Sequence, residues 1–263
     1  MPPKTIYETP DAYNLPYQDV WLPIKTNWGI QRIHGWWLPH APCANCECAN
    51  CEVDRPTLLY FHGNASNVST EISMAQRFYQ LGFSVLLIDY RGYGQSEGGF
   101  PSESKAYQDA QTGWDFLTQT QKIPAQEIIL YGHSLGGAIA LDLASKHPDV
   151  AGVIVQNTFT SMQAMAKRNW AFRLFPIELI LTQQFNSLKK VSSLKAPVLF
   201  IHGTTDTHIP VEMSKTLYAA VPQPKQLLLI PNGEHNHTDL LFEPPARQDL
   251  QDFLKRSLKL PKT

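Results

Sequence analysis

Six stretches of this chain are apolar almost without a break: "TLLYFHG" (57–63), "SVLLIDY" (84–90), "EIILYGH" (127–133), "AGVIVQN" (151–157), "PVLFIHG" (197–203) and "KQLLLIP" (225–231). Each is short, rich in Val, Ile and Leu, and bounded by turn residues, so each reads as a strand. Apolarity at nearly every position, rather than at alternate ones, is what a parallel sheet covered on both faces requires. Longer amphipathic stretches lie between them. Residues 68–81 carry Ile72, Ala75, Phe78 and Tyr79 at helical spacing, and residues 104–121 carry Ala106, Ala110, Trp114, Phe116 and Leu117. Residues 135–147, 211–221 and 246–258 complete the helical set. Strand and helix in alternation predict an α/β protein built on a doubly wound, mostly parallel sheet. The first fifty-odd residues break the pattern. There "YQDVWLPI" and "GIQRIHGWWLP" predict an antiparallel hairpin at one edge of the sheet.

A second departure falls between the strands at 151–157 and 197–203, a connection longer than a simple crossover helix needs. It contains "NWAFRLFPIELILTQQF" (169–185). One reading is an ordinary crossover helix packed on the sheet. The other is a small lid, an insertion at about 159–192, with Trp170, Phe172 and Phe175 lining an apolar substrate pocket. Pro176 breaks any continuous helix here and favours a bent, two-piece segment.

Composition narrows the class. The chain has 263 residues, 43% of them hydrophobic and 17% charged, with a net charge of −1. That suits one globular domain over 1–263 with a sizeable core. No clustered basic excess marks a nucleic-acid partner. The opening residues lack a charged-then-apolar signal pattern, and no stretch approaches the ~18 apolar residues of a spanning helix. The expectation is a soluble cytoplasmic protein acting on a small molecule.

The chemistry concentrates in "LYGHSLGG". Gly132-His133-Ser134-Leu135-Gly136 fits G-x-S-x-G, with a strand before it and a helix after it. A serine on that sharp bend projects its hydroxyl from the C-terminal edge of the sheet. Glycine two places before and two after avoids collision with neighbouring backbone. A serine hydroxyl is a weak nucleophile and needs a base, which in turn needs an orienting carboxylate. In this architecture they follow in the order Ser, Asp or Glu, His. "LFIHGTTDTHIP" offers Asp206 and "LLLIPNGEHNHTDL" offers His235, each just past a strand. His237 is an alternative base and Asp239 an alternative acid. The turn "NGE" before His235, and its closeness to the strand, favour His235. Asp239 sits only four residues past His235. The oxyanion formed on attack needs backbone N–H donors. Leu135, directly after the serine, supplies one. Asn64, in "FHGNAS" after the 57–63 strand, supplies the other, with Ala65 second in line.

"LLYFHGNASN", "LLIDYRGYGQSEG", "ILYGHSLGGAIA", "LFIHGTTDTHIP" and "GEHNH" together resemble the α/β-hydrolase superfamily. More narrowly they are similar to its small-lid serine hydrolases, which include the α/β-hydrolase-domain depalmitoylases and many bacterial relatives. The resemblance spans roughly residues 55–240. It implies the α/β-hydrolase fold, with an antiparallel N-terminal edge and a small helical lid. It also implies Ser134 as nucleophile, Asp206 as acid, His235 as base, and Asn64 with Leu135 as oxyanion donors. Asn236, following the histidine as is common in that branch, supports His235 over His237. Arg91, Gly92, Tyr93 and Gly94 match a loop that shapes the site wall. The chain departs from the depalmitoylases in lacking their cysteine-rich N-terminal stretch.

All four cysteines instead fall in "CANCECANC", at Cys43, Cys46, Cys48 and Cys51. Two CxxC pairs suggest zinc, but a single residue between the pairs cramps four thiolates around one ion. A surface loop with reduced thiols is the favoured reading, placed away from the active site. The expected function is a serine hydrolase that cleaves a carboxylic ester or thioester through an acyl-enzyme and needs no cofactor. Peptidase or amidase chemistry on the same residues is the alternative, and a non-catalytic binding protein of the same fold is a further one. A serine at the elbow disfavours the aspartate-nucleophile hydrolases.

Overall fold

The computed structural model of the chain describes residues 2–27, 29–40, 56–168 and 181–258. All the expected strands form: β1 Gln18–Thr26, β2 Gly29–Leu38, β3 Thr57–Phe61, β4 Ser84–Ile88, β5 Ile128–His133, β6 Gly152–Gln156, β7 Val198–Gly203 and β8 Lys225–Ile230. They make one sheet in the order β1-β2-β4-β3-β5-β6-β7-β8. β1 pairs antiparallel with β2, and β2 antiparallel with β4. Every later pairing is parallel.

The central strands β3 to β7 are buried at every position, and successive side chains serve opposite faces. Leu59, Phe61 and Leu130 join the core under α2 Glu103–Asp115 and α3 Leu135–Lys146. Leu58, Tyr60 and Tyr131 join the core under α1 Ile72–Gln80 and the C-terminal helix Ala246–Ser257. Uninterrupted apolarity thus reflects two cores sharing one sheet. The shorter helices Met162–Ala166 (α4) and Ser187–Val191 (α5) lie in the β6–β7 connection. Val211–Ala220 (α6) links β7 to β8, and Ala246–Ser257 is α7.

Two helices differ from their expected spans. Residues 68–71 do not join α1, because Asn67 captures the chain in a turn: its Oδ1 accepts from the Ser69 and Thr70 N–H groups. The 104–121 stretch is α-helical only to Asp115 and widens into a π-type turn over Phe116–Thr120. Residues 43–51, with the cysteine cluster, lie outside the described residues, as do Trp170, Phe172 and Phe175 of the expected pocket. No helix among the described residues is long and apolar enough to cross a membrane.

Candidate active site

Parallel strands deliver their C-terminal ends to one rim, where an open α/β sheet gathers its ligand site. At this rim β3 runs into His62-Gly63-Asn64, β5 into Ser134, and β6 into Asn157. β7 leads to the loop of Asp206, and β8 to the loop of His235.

Ser134 sits between β5 and α3 at φ 54°, ψ −115°, a strained backbone for a residue with a side chain. The bend is possible because the flanking glycines leave no room for more. A Cβ on Gly132 would lie 2.2 Å from the Gly136 carbonyl oxygen, and one on Gly136 would lie 2.0 Å from that of Phe61. The start of α3 is therefore pressed against the end of β3. Ser134 donates its own N–H to the Gln156 carbonyl at 2.9 Å, and the Thr158 hydroxyl donates to the Ser134 carbonyl at 2.8 Å.

The structure brings the three residues singled out in the sequence together. His235 Nδ1 donates to Asp206 Oδ2 at 2.7 Å, which leaves Nε2 facing Ser134 Oγ at 3.2 Å. The Asp206 carboxylate is shielded from solvent. Burial pushes its pKa up. Hydrogen bonds from His202, His235 and the Ile209 N–H outweigh that and hold it well below the ordinary carboxylate value. Its Oδ1 accepts from the N–H groups of His208 and Ile209 at 2.8 and 2.9 Å. His237 and Asp239, the alternative base and acid, are exposed and stand apart from this constellation. The N–H groups of Asn64 and Leu135 have no acceptor among the described residues. Both residues line the same cavity as Ser134 and His235.

Several supporting residues carry no motif. The Asn157 side chain donates from Nδ2 to the His235 carbonyl at 2.7 Å and accepts on Oδ1 from the Gly203 N–H at 3.0 Å. One buried amide therefore ties the end of β7, which leads to the acid, to the loop of the base. Asn157 holds a left-handed φ of 50° to do so. His133 donates from Nε2 to the same His235 carbonyl at 2.9 Å. Burial lowers the His133 pKa, so the ring is neutral at pH 7. His202 donates from Nε2 to the Ile209 carbonyl at 2.8 Å and lies 3.4 Å from Asp206 Oδ2. Its Nδ1 is 2.6 Å from the Ser214 hydroxyl. Tyr93 donates its hydroxyl to Asn64 Oδ1 at 2.7 Å, so the Arg91–Gly94 loop does shape the site wall. Beneath it, Arg91 pairs with buried Asp109 at 2.6 Å. Sequence position at a strand end could have flagged Asn157. Nothing in the linear pattern flags the reach of His133.

The cavity over Ser134 has a volume of about 520 Å³. Phe159, Met162, Met165, Phe185 and Ile209 give it an apolar lining, and its described walls include no carboxylate and no basic side chain apart from histidine. Phe185, the one described aromatic of the expected apolar segment, is buried on this wall.

Comparison with known proteins agrees with this architecture. A family model described as "Serine aminopeptidase, S33" matches residues 53–183. The α/β-hydrolase domain-containing protein WAV2 of Arabidopsis thaliana is 33% identical over 246 residues, covering 88% of this chain and 76% of that protein. Among solved structures, the Pyrococcus furiosus esterase Pf2001 superposes with a TM-score of 0.77 at 22% identity, covering 98% of this chain and 97% of that one. A puromycin-hydrolysing peptidase of Mycobacterium tuberculosis reaches 0.70 at 16% identity, covering 95% of this chain and 40% of that one. With its fold shared by esterases and peptidases and a close likeness to WAV2 over most of both chains, the protein belongs to the α/β-hydrolase superfamily.

Proposed function

We propose that the protein is a serine hydrolase that cleaves a carboxylic ester or thioester by way of an acyl-enzyme. The observation that carries this reading is the 3.2 Å approach of His235 Nε2 to Ser134 Oγ, backed by the 2.7 Å bond from Nδ1 to Asp206. Donation from Nδ1 fixes the tautomer, so Nε2 has a lone pair for the serine proton. Ser134 Oγ attacks the carbonyl carbon as that proton moves to Nε2. Asp206 steadies the imidazolium formed. The carbonyl oxygen, now negative, is met by the N–H groups of Asn64 and Leu135, and the N-terminus of α3 adds its positive end. His235 returns the proton to the leaving oxygen or sulfur, and the acyl group stays on Ser134. Water, deprotonated by the same nitrogen, then releases the acid and restores the serine.

An uncharged acyl group suits the described lining of Phe159, Met162, Met165, Phe185 and Ile209. We take residues 159–192 as a lid-like insertion: Met162, Met165 and Phe185 contribute to the wall from there.

Labelling with a fluorophosphonate probe tests the reading. The native protein is expected to label and Ser134→Ala to remain unlabelled while folding normally. p-Nitrophenyl esters are expected to be turned over and aminoacyl naphthylamides left intact. A Ser134→Ala variant that keeps its esterase activity would reject the assignment.

A further inference from the structure

The first described residues carry no motif, yet they are bonded to the rim of the cavity. The Gly94 N–H donates to the Pro3 carbonyl at 2.9 Å. Asn67 Nδ2 donates to the Thr5 carbonyl at 2.8 Å and lies 3.5 Å from that of Pro3. The Tyr7 N–H donates to Ser69 Oγ at 3.1 Å, and Lys4 Nζ is 3.5 Å from the Ser96 carbonyl. Asn67 is fully buried. Its Oδ1 is occupied within its own turn, by Ser69 and Thr70. Among the described residues its Nδ2 has only these strap carbonyls as acceptors. A buried amide donor without an acceptor is costly, so Asn67 makes the strap an integral part of the fold.

The strap is held by two loops that also build the site. One, residues 62–70, carries Asn64. The other, residues 89–101, carries Tyr93 and Phe100. At the end of the strap Pro2 lines the same cavity as Ser134, together with Asn64, Tyr93 and Phe100. Phe100 is 79% exposed, a large apolar ring standing at the mouth with little of the protein to cover it. Pro2, Tyr93 and Phe100 thus give the cavity wall a proline ring and two aromatic rings, a lining that suits an uncharged hydrocarbon group.

We propose that the segment Pro2–Thr5 is a specificity-determining wall of the substrate cavity, seating an apolar substituent of the ester between Pro2, Tyr93 and Phe100. This rests on the reading of Ser134 as the nucleophile of a hydrolase. The strap is anchored mainly through its backbone, at Pro3, Thr5 and Tyr7, and Pro2 itself makes none of these bonds. Pro2 is thus free to be exchanged without unseating the rest.

The test uses the full chain, with Pro2→Trp to fill the space beside Tyr93 and Phe100 and Pro2→Gly to open it, both of which keep the Pro3 and Thr5 carbonyls that Gly94 and Asn67 bond. Two substrate series are measured, p-nitrophenyl esters from acetate to octanoate and alkyl acetates from ethyl to octyl. In one series, both variants are expected to lower the ratio of kcat/KM for the longest to the shortest member about five- to ten-fold, mostly through KM. Fluorophosphonate labelling of Ser134 is expected to persist in both. A ratio within about two-fold of the native value in both series, or an equal loss for every chain length, would overturn the wall and leave the hydrolase reading intact. Failure of the native protein to label at Ser134 would overturn the hydrolase reading, and the inference with it.

Discussion

The side chain of Asn157 donates to the backbone carbonyl of His235 at 2.7 Å, and the carbonyl receives a second bond from His133 at 2.9 Å. A residue at the end of one strand thus sets the position of a loop that follows another, and it adopts a left-handed backbone to do so.

Asn157→Gly isolates that side chain, because glycine accepts the left-handed φ without strain. The proposed base would lose its main tether. Steady-state kinetics on a p-nitrophenyl ester are expected to show kcat reduced about 10- to 100-fold with KM within a few-fold of native. A fall in KM-dependent binding with kcat intact would show that the amide serves the pocket instead.

Asp206→Asn removes the carboxylate but keeps the shape. The expected result is a loss of about 10³–10⁴ in kcat, because the imidazole no longer holds the tautomer that accepts the serine proton. Circular dichroism and thermal melting of the variant report whether the fold survives.

Gly94→Ala is expected to be severely destabilising. Its Cβ would fall 1.8 Å from Asp89 Oδ2, and its φ of +45° is already disfavoured for a side chain. Asp89 cannot step aside: it is fully buried between His34 and His62 and accepts the Val68 N–H at 2.9 Å. A loss of about 3 kcal/mol or more is expected from denaturant melts, or failure to fold. Gly99→Ala, where a Cβ would meet nothing within 4 Å, is the contrast and is expected to cost under about 1 kcal/mol.

Acid should weaken the protein in two stages. His133 has a lowered pKa through burial, so the unfolded chain binds a proton that the native state refuses. Its contribution is complete above about pH 6.5 and is lost as pH falls below that value. Asp206, also lowered, contributes above about pH 4 and loses its contribution on further acidification. His34 acts in the opposite sense: burial lowers its pKa, but Asp89 and Asp19 together raise it, so its contribution fades as pH rises. The difference between variants isolates His133. From pH 8 to pH 5, the melting temperature of His133→Gln should fall less than that of the native protein.

Much of the fold was legible because one physical signal dominated it. A sheet buried on both faces needs apolar side chains at every position, so β3 to β7 announced themselves. Ser134, Asp206 and His235 were legible because each follows a strand at the same rim, in a fixed order. Less was visible where a side chain redirected the backbone. Asn67 delayed the start of the expected 68–81 helix to Ile72, and no hydrophobic period records an Asx turn. His133 and Asn157 were overlooked because their partners are backbone carbonyls more than seventy residues away, which no spacing rule reaches. The strap was overlooked for a similar reason: it is held mostly through main-chain atoms that every residue shares.

The contact of Gly136 with the end of β3 has a consequence for how such a protein could diversify. Two segments that touch without an intervening methyl group fix the gap between the peptide groups of Asn64 and Leu135 when the chain folds. No later motion need set it. New substrates would then be accommodated by redrawing the perimeter, at positions such as Pro2, Phe100, Met162 or Phe185, while the hinge of serine and glycine is inherited unchanged.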